Sequence, residues 1–151
     1  MIRDSILIVQ YDSLSLNTTT TNISCNGNND GTISLNIVSG GQSPFQYSID
    51  NGITFQSSNQ FSTLGTGSYN VVIMDINSCL TSTVLNLTEP QPLSAVNTVT
   101  DISCYGDCDG KISLSISGGT ATYTQSWNNA NPNALCAGTY SYSITVQMDV
   151  C

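Results

Sequence analysis

Ile23-Ser24-Cys25-Asn26-Gly27 returns 79 residues later as Ile102-Ser103-Cys104-Tyr105-Gly106, and this repeat constrains the whole 151-residue chain. Asp30-Gly31, then Ile33-Ser34-Leu35, recurs at the same offset as Asp109-Gly110, then Ile112-Ser113-Leu114. Ser39-Gly40-Gly41 matches Ser117-Gly118-Gly119, Gly67-Ser68-Tyr69 matches Gly138-Thr139-Tyr140, and Cys79 matches Cys151. The offset shortens along the way, so the second copy has lost a few residues in its middle. Matching motifs in one order at a near-constant period mean two tandem units of one design.

Each unit reads as short strands. Ile33, Leu35 and Ile37 alternate with Thr32, Ser34 and Asn36, the period of two that turns one face to a core. Ile112, Leu114 and Ile116 repeat the pattern. Tyr69, Val71 and Ile73 alternate before Cys79, as Tyr140, Tyr142, Ile144 and Val146 do before Cys151. Asn29-Asp30-Gly31, Gly40-Gly41, Asp50-Asn51-Gly52 and Gly118-Gly119 supply the turns. Ala, Glu and Lys are scarce and β-branched residues abundant, so helix is disfavoured throughout. The expectation is an all-β chain of two tandem immunoglobulin-like β-sandwich domains, residues 12–91 and 92–151, the second lacking its last strand. Glu89-Pro90-Gln91-Pro92 forms a stiff linker, and residues 1–11 stand apart as a lone N-terminal strand.

Several function classes fall away on composition. Ten acids face only Arg3 and Lys111, a net charge of −8, so no basic patch exists to follow a phosphate backbone or an anionic membrane. Nucleic acid and membrane insertion are excluded as partners, and no stretch has the length of a membrane-spanning helix. With no His, a serine or cysteine nucleophile lacks its usual base, and no catalytic constellation stands out. The chain reads as no enzyme and calls for no cofactor. Six cysteines, few charges and many hydroxyl side chains indicate an oxidising, extracellular setting.

The motifs resemble the SprB-type repeat of gliding-bacterial cell-surface adhesins. Its Ser-Cys-x-Gly-x-x-Asp-Gly opening stands at residues 24–31, its Ser-Gly-Gly turn at 39–41, its Tyr-Ser-Ile-Asp-x-Gly strand at 47–52, and its closing Thr-Glu-Pro at 88–90. The second copy supplies 103–110, 117–119, Ser126-Trp127 and 137–140, with departures at residues 147–150. The resemblance implies tandem Ig-like domains on a secreted surface polymer, with no chemistry attached.

Six cysteines allow fifteen pairings, and the repeat narrows them. Copy one holds a single pair, Cys25 and Cys79, so Cys104 and Cys151 are expected to pair likewise, which leaves Cys108 with Cys136. Closing a loop of about 50 residues stabilises by roughly 4 kcal/mol in the chain-entropy model.

After Cys79, Leu85 and Leu87 read as the last strand of copy one, while copy two ends at Cys151 without one. At the 79-residue offset Leu14-Ser15 aligns with Leu93-Ser94, and Ile6 and Ile8 fall on Leu85 and Leu87. A sandwich short of a strand exposes unpaired backbone and an open core. Ile6, Leu7, Ile8 and Val9 of one molecule are therefore expected to complete the second domain of the next, by donor-strand pairing. Such a contact is head to tail and builds an open homopolymer. Burying three of these side chains supplies roughly 5–8 kcal/mol. The alternative is an adhesin module that binds surface polysaccharide or another cell and is here a fragment of a longer protein.

Weaker signals remain. Asn17, Asn22 and Asn86 head N-glycosylation sequons, Ser5 and Ser13 follow Asp in bacterial O-glycosylation-like triplets, and glycans are candidate partners. Asp107 and Asp109 faintly resemble a calcium loop, but no bidentate acid follows at EF-hand spacing, so a turn is the stronger reading and no metal is expected. Trp127 aligns with Ile49 and reads as a half-buried strand residue rather than a sugar platform.

Overall fold

Hydrophobic alternation becomes sheet wherever the repeat placed it. The computed structural model describes residues 6, 12–120 and 122–146. Among them lie ten β-strands and no helix, and the chain divides into two compact units. The first comprises Met1–Ile23 and Asn28–Thr88, the second Ser24–Gly27 and Glu89–Cys151.

Unit 1 contains β1 (Ser15–Thr21), β2 (Gly31–Ser39), β3 (Gln46–Ser48), β4 (Gln60–Leu64), β5 (Gly67–Met74) and β6 (Leu80–Leu87). They form two antiparallel sheets, β1-β2-β4 and β3-β5-β6. Ile33 and Leu35 of β2 point inward and meet Val71 and Ile73 of β5, Leu87 of β6, and Ile23. All six are at most 3% exposed, so the two sheets enclose a dry β-sandwich core. Each such side chain contributes roughly 1.5–3 kcal/mol by leaving water.

The last strand closes this core. β6 runs along all of β5, from Met74↔Leu80 to Gly67↔Leu87, and places Leu85 opposite Tyr69. A Cβ built on Gly31 would lie 2.9 Å from Leu87 Cδ1 and 2.9 Å from Leu64 O. The glycine thus makes the space that Leu87 fills.

Unit 2 contains β7 (Ser94–Thr100), β8 (Lys111–Ser117), β9 (Tyr123–Ser126) and β10 (Ser143–Val146). β7 pairs with β8 and β9 with β10, both antiparallel. The registers reproduce unit 1: Thr18↔Leu35 becomes Asn97↔Leu114, and Tyr47↔Ile73 becomes Gln125↔Ile144. Chain entry is reproduced too. Gly41 N–H donates to Asp12 O, and Gly119 N–H donates to Gln91 O. Gly40 and Gly118 have φ of 75° and 73°, and a Cβ on either would collide with the backbone of Ser13 or Pro92. Only glycine lets the chain enter each sandwich so closely.

The expected Cys25–Cys79 bridge is not formed, and strand geometry explains why. Cys79 carries a free, exposed thiol at the start of β6. Ile23 N–H donates to Thr88 O, just past the other end of β6. Eight strand residues separate these ends by about 26 Å, and the two residues from Ile23 to Cys25 span at most about 7 Å. Equivalent cysteines in a repeat need not be neighbours within it. Cys108 and Cys136, by contrast, are joined in a disulfide. Cys104 is a free, exposed thiol, and its expected partner Cys151 lies outside the described residues.

Candidate functional site

The most distinctive surface lies in unit 2, where no strand among the described residues covers the repeated core. Ile112 and Leu114 are the counterparts of Ile33 and Leu35, yet they are half-buried rather than sealed, as is Ile102, the counterpart of Ile23. Leu135, 5% exposed, is the one fully buried apolar side chain of unit 2 among the described residues. The cause is local: no described strand of unit 2 corresponds to β6.

What stands open is a groove of about 520 Å³. Its walls include Ile102, Gly110, Ile112, Leu135, Gly138 and Tyr140. By the repeat these match Ile23, Gly31, Ile33, Leu64, Gly67 and Tyr69, the residues around which β6 closes unit 1. Gly110 N–H donates to Leu135 O at 3.1 Å and Leu135 N–H returns a bond to Gly110 O at 2.9 Å, just as Gly31 pairs with Leu64. The groove is therefore preformed, with a glycine floor at the place where Leu87 sits in unit 1. Apolar Val99, Ile102, Ile112 and Leu135 share the walls with Asn97, Thr100, Asp101, Lys111 and Thr139.

Of the predicted interface residues, Ile6 is 86% exposed, while Leu7, Ile8 and Val9 lie outside the described residues. Asn17 is exposed on β1. Asn22 Oδ1 accepts from Thr88 N–H at 3.0 Å, and Asn86 Oδ1 accepts from Ser68 Oγ at 2.6 Å, so both amides already serve strand ends or ladders. Ser13 is exposed where the chain enters unit 1, and Ser5 lies outside the described residues.

Asp107 and Asp109 serve their own loop. Ser103 Oγ donates to Asp107 Oδ2 at 3.2 Å, and Ser103 N–H donates to Asp109 Oδ1 at 3.0 Å. Hydrogen bonds from the Ser103 side chain and backbone hold the Asp109 carboxyl below the usual range. Among the described residues no group of three potential metal ligands comes together. Trp127 follows β9, half-buried, with its ring 5.3 Å from that of Tyr142.

Two carboxylates organise turns in unit 1: Asp50, read in the sequence only as part of a turn, and Asp75, which sequence reasoning did not single out. Asp50 accepts from Ser48 Oγ, Thr54 Oγ1 and Thr54 N–H, and these bonds lower its pKa to about 2. Asp75 is 4% exposed; burial raises its pKa, but the amides of Cys79, Gln42 and Asn77 more than offset this and leave it below the ordinary value. The available signal was an Asp two or four residues ahead of turn residues, in Asp50-Asn51-Gly52 and Asp75-Ile76-Asn77.

The SprB repeat family matches the chain at two places, residues 17–54 and 96–132. These spans run from β1 through the Asp50 turn and from β7 past Trp127. No curated protein and no solved structure is significantly similar to the chain.

Proposed function

The chain carries two tandem copies of the SprB repeat, and on that premise we propose that it is an extracellular structural subunit that polymerises head to tail. The repeat is one of cell-surface proteins of structural or adhesive character. Residues 4–10 of one subunit enter the open groove of unit 2 in the next and take the part that β6 plays in unit 1.

The observation that carries this reading is the contrast between corresponding core positions of the two copies. Ile33 and Leu35 are sealed beneath β6, while Ile112 and Leu114 are half-buried, Ile112 on the wall of a groove of about 520 Å³. The donor is identified by register. Asp12 O and Gln91 O occupy matching places against Gly41 and Gly119, so residues 1–11 lead into Asp12 as residues 80–90, which include β6, lead into Gln91. Ile6 and Ile8 then stand where Leu85 and Leu87 stand, with aliphatic side chains of matching size. A lone exposed aliphatic such as Ile6 gains free energy from such a seat.

Size-exclusion chromatography and electron microscopy of the chain, with and without residues 1–11, test this. The intact chain is expected to form concentration-dependent polymers and the shortened chain to stay monomeric. Polymers that survive the deletion would overturn the reading.

A further inference from the structure

The placement of the thiols adds a covalent element to this joint, and the following rests on the head-to-tail reading. Among the described residues Cys108 and Cys136 are joined, while Cys79 and Cys104 are exposed thiols.

In unit 1 the Cys79 turn is tied to the end where the chain enters. Gly41 N–H donates to Asp12 O at 3.4 Å, and Gln42 N–H donates to Asp75 Oδ2 at 3.0 Å. Ile76 N–H donates to Gln42 O at 3.2 Å, Asp75 N–H to Cys79 O at 3.1 Å, and Cys79 N–H to Asp75 Oδ1 at 2.8 Å. These bonds lead from Asp12, the residue that follows the donor segment, to Cys79.

In unit 2, Cys104 lies two residues beyond Ile102, a wall of the groove. Its loop is held by Asp107 N–H on Cys104 O at 3.1 Å and by Ser103 on Asp107 and Asp109. In unit 1 the counterpart of Ile102 is Ile23, whose N–H donates to Thr88 O. Val9 stands at the register of Thr88, so a docked donor strand sets its Val9 carbonyl against Ile102 of the acceptor. Three residues, about 10 Å at most, then separate that bond from Asp12. A strand seated in the groove thus leads the Cys79 turn of its own molecule to the Cys104 loop of its neighbour.

We infer that Cys104 of one chain and Cys79 of the next form a disulfide at each head-to-tail joint. The Cys104 thiolate attacks a small or protein disulfide of the oxidising compartment, forming a mixed disulfide and releasing one thiol. The Cys79 thiolate then displaces the second thiol. Two thiols lose two protons and two electrons, and the oxidant's disulfide is reduced to two thiols. The short tether holds the two cysteines at an effective concentration in the millimolar range, which favours this pair over random collision.

The test combines non-reducing electrophoresis with electron microscopy of the full chain assembled in a glutathione redox buffer. Wild type is expected to give filaments and a covalent ladder that collapses to monomer on reduction. Cys79→Ser and Cys104→Ser, each alone, are expected to give filaments that run as monomers. Mixed together, these two variants are expected to give a covalent dimer and nothing larger, because one supplies only Cys104 and the other only Cys79. Covalent dimers from either variant alone would overturn the pairing. Wild-type filaments without a ladder would sink the disulfide and leave the strand joint standing. Absence of filaments in every sample would remove both.

Discussion

Truncating Ile8 to alanine is the sharpest perturbation of the joint. Its register counterpart Leu87 is 2% exposed and packs among Ile23, Ile33, Leu35, Val71 and Ile73. Leucine- or isoleucine-to-alanine changes at such sites cost about 3 kcal/mol, the sum of lost transfer free energy and the cavity left behind. At one decade per 1.4 kcal/mol, the donor strand of Ile8→Ala is expected to bind roughly 150-fold more weakly. Leu7 provides the control. It stands at the register of Asn86, which is exposed on the outer face of β6, so Leu7→Ala is expected to change affinity less than about threefold. The assay is calorimetric titration of the chain lacking residues 1–11 with a synthetic peptide of residues 1–11, wild type and each variant. Leu87→Ala in the intact chain calibrates the scale, with an expected loss of about 3 kcal/mol of unit 1 stability in denaturant. Equal effects of Ile8→Ala and Leu7→Ala would refute the alternation on which the register rests.

Opening the Cys108–Cys136 bridge, which spans 28 residues, is expected to cost unit 2 about 3.5 kcal/mol in the chain-entropy model, read as a lower denaturation midpoint for the double serine variant. Asp50 has its folded pKa lowered to about 2, so its contribution to stability is fully present above its ordinary value near 3.8 and lost as pH falls through 2. Thermal melts between pH 5 and 2 are expected to show this loss in wild type and a flatter profile in Asp50→Asn. Gly118→Val would drive a side chain into the Pro92 backbone at a positive φ, and is expected to lower the melting temperature of unit 2 while leaving that of unit 1 unchanged.

The strands were legible because period-two alternation reports directly on which face is buried. Ile33, Leu35, Val71 and Ile73 were read as inward, and each is at most 1% exposed. The 79-residue offset is matched by equivalent registers, since a tandem copy with the same turns pairs its strands in the same way. Of the cysteine pairings read by that route, Cys108–Cys136 is formed and Cys25–Cys79 is not. Equivalence along the chain carries no distance, and β6 holds the first and second cysteine positions of a repeat at opposite ends. The floor of the groove was not legible in the sequence. Leu135 and Gly110 meet only through a backbone pairing that the shortened middle of copy two disguises in sequence, where the offset changes between them. Asp75 escaped notice, and Asp50 was read only as a turn residue, because a carboxylate that caps a turn looks, in one dimension, like any solvated acid.

An electron-microscopic reconstruction of the assembled chain, at a resolution that shows side chains, addresses the central claim most directly. Residues 4–10 of one subunit are expected to pair as a strand in the unit 2 groove of its neighbour, with Ile8 over Gly110 and Ile6 beside Tyr140. A groove filled by a segment of its own molecule, or left open while residues 1–11 pack elsewhere, would contradict it.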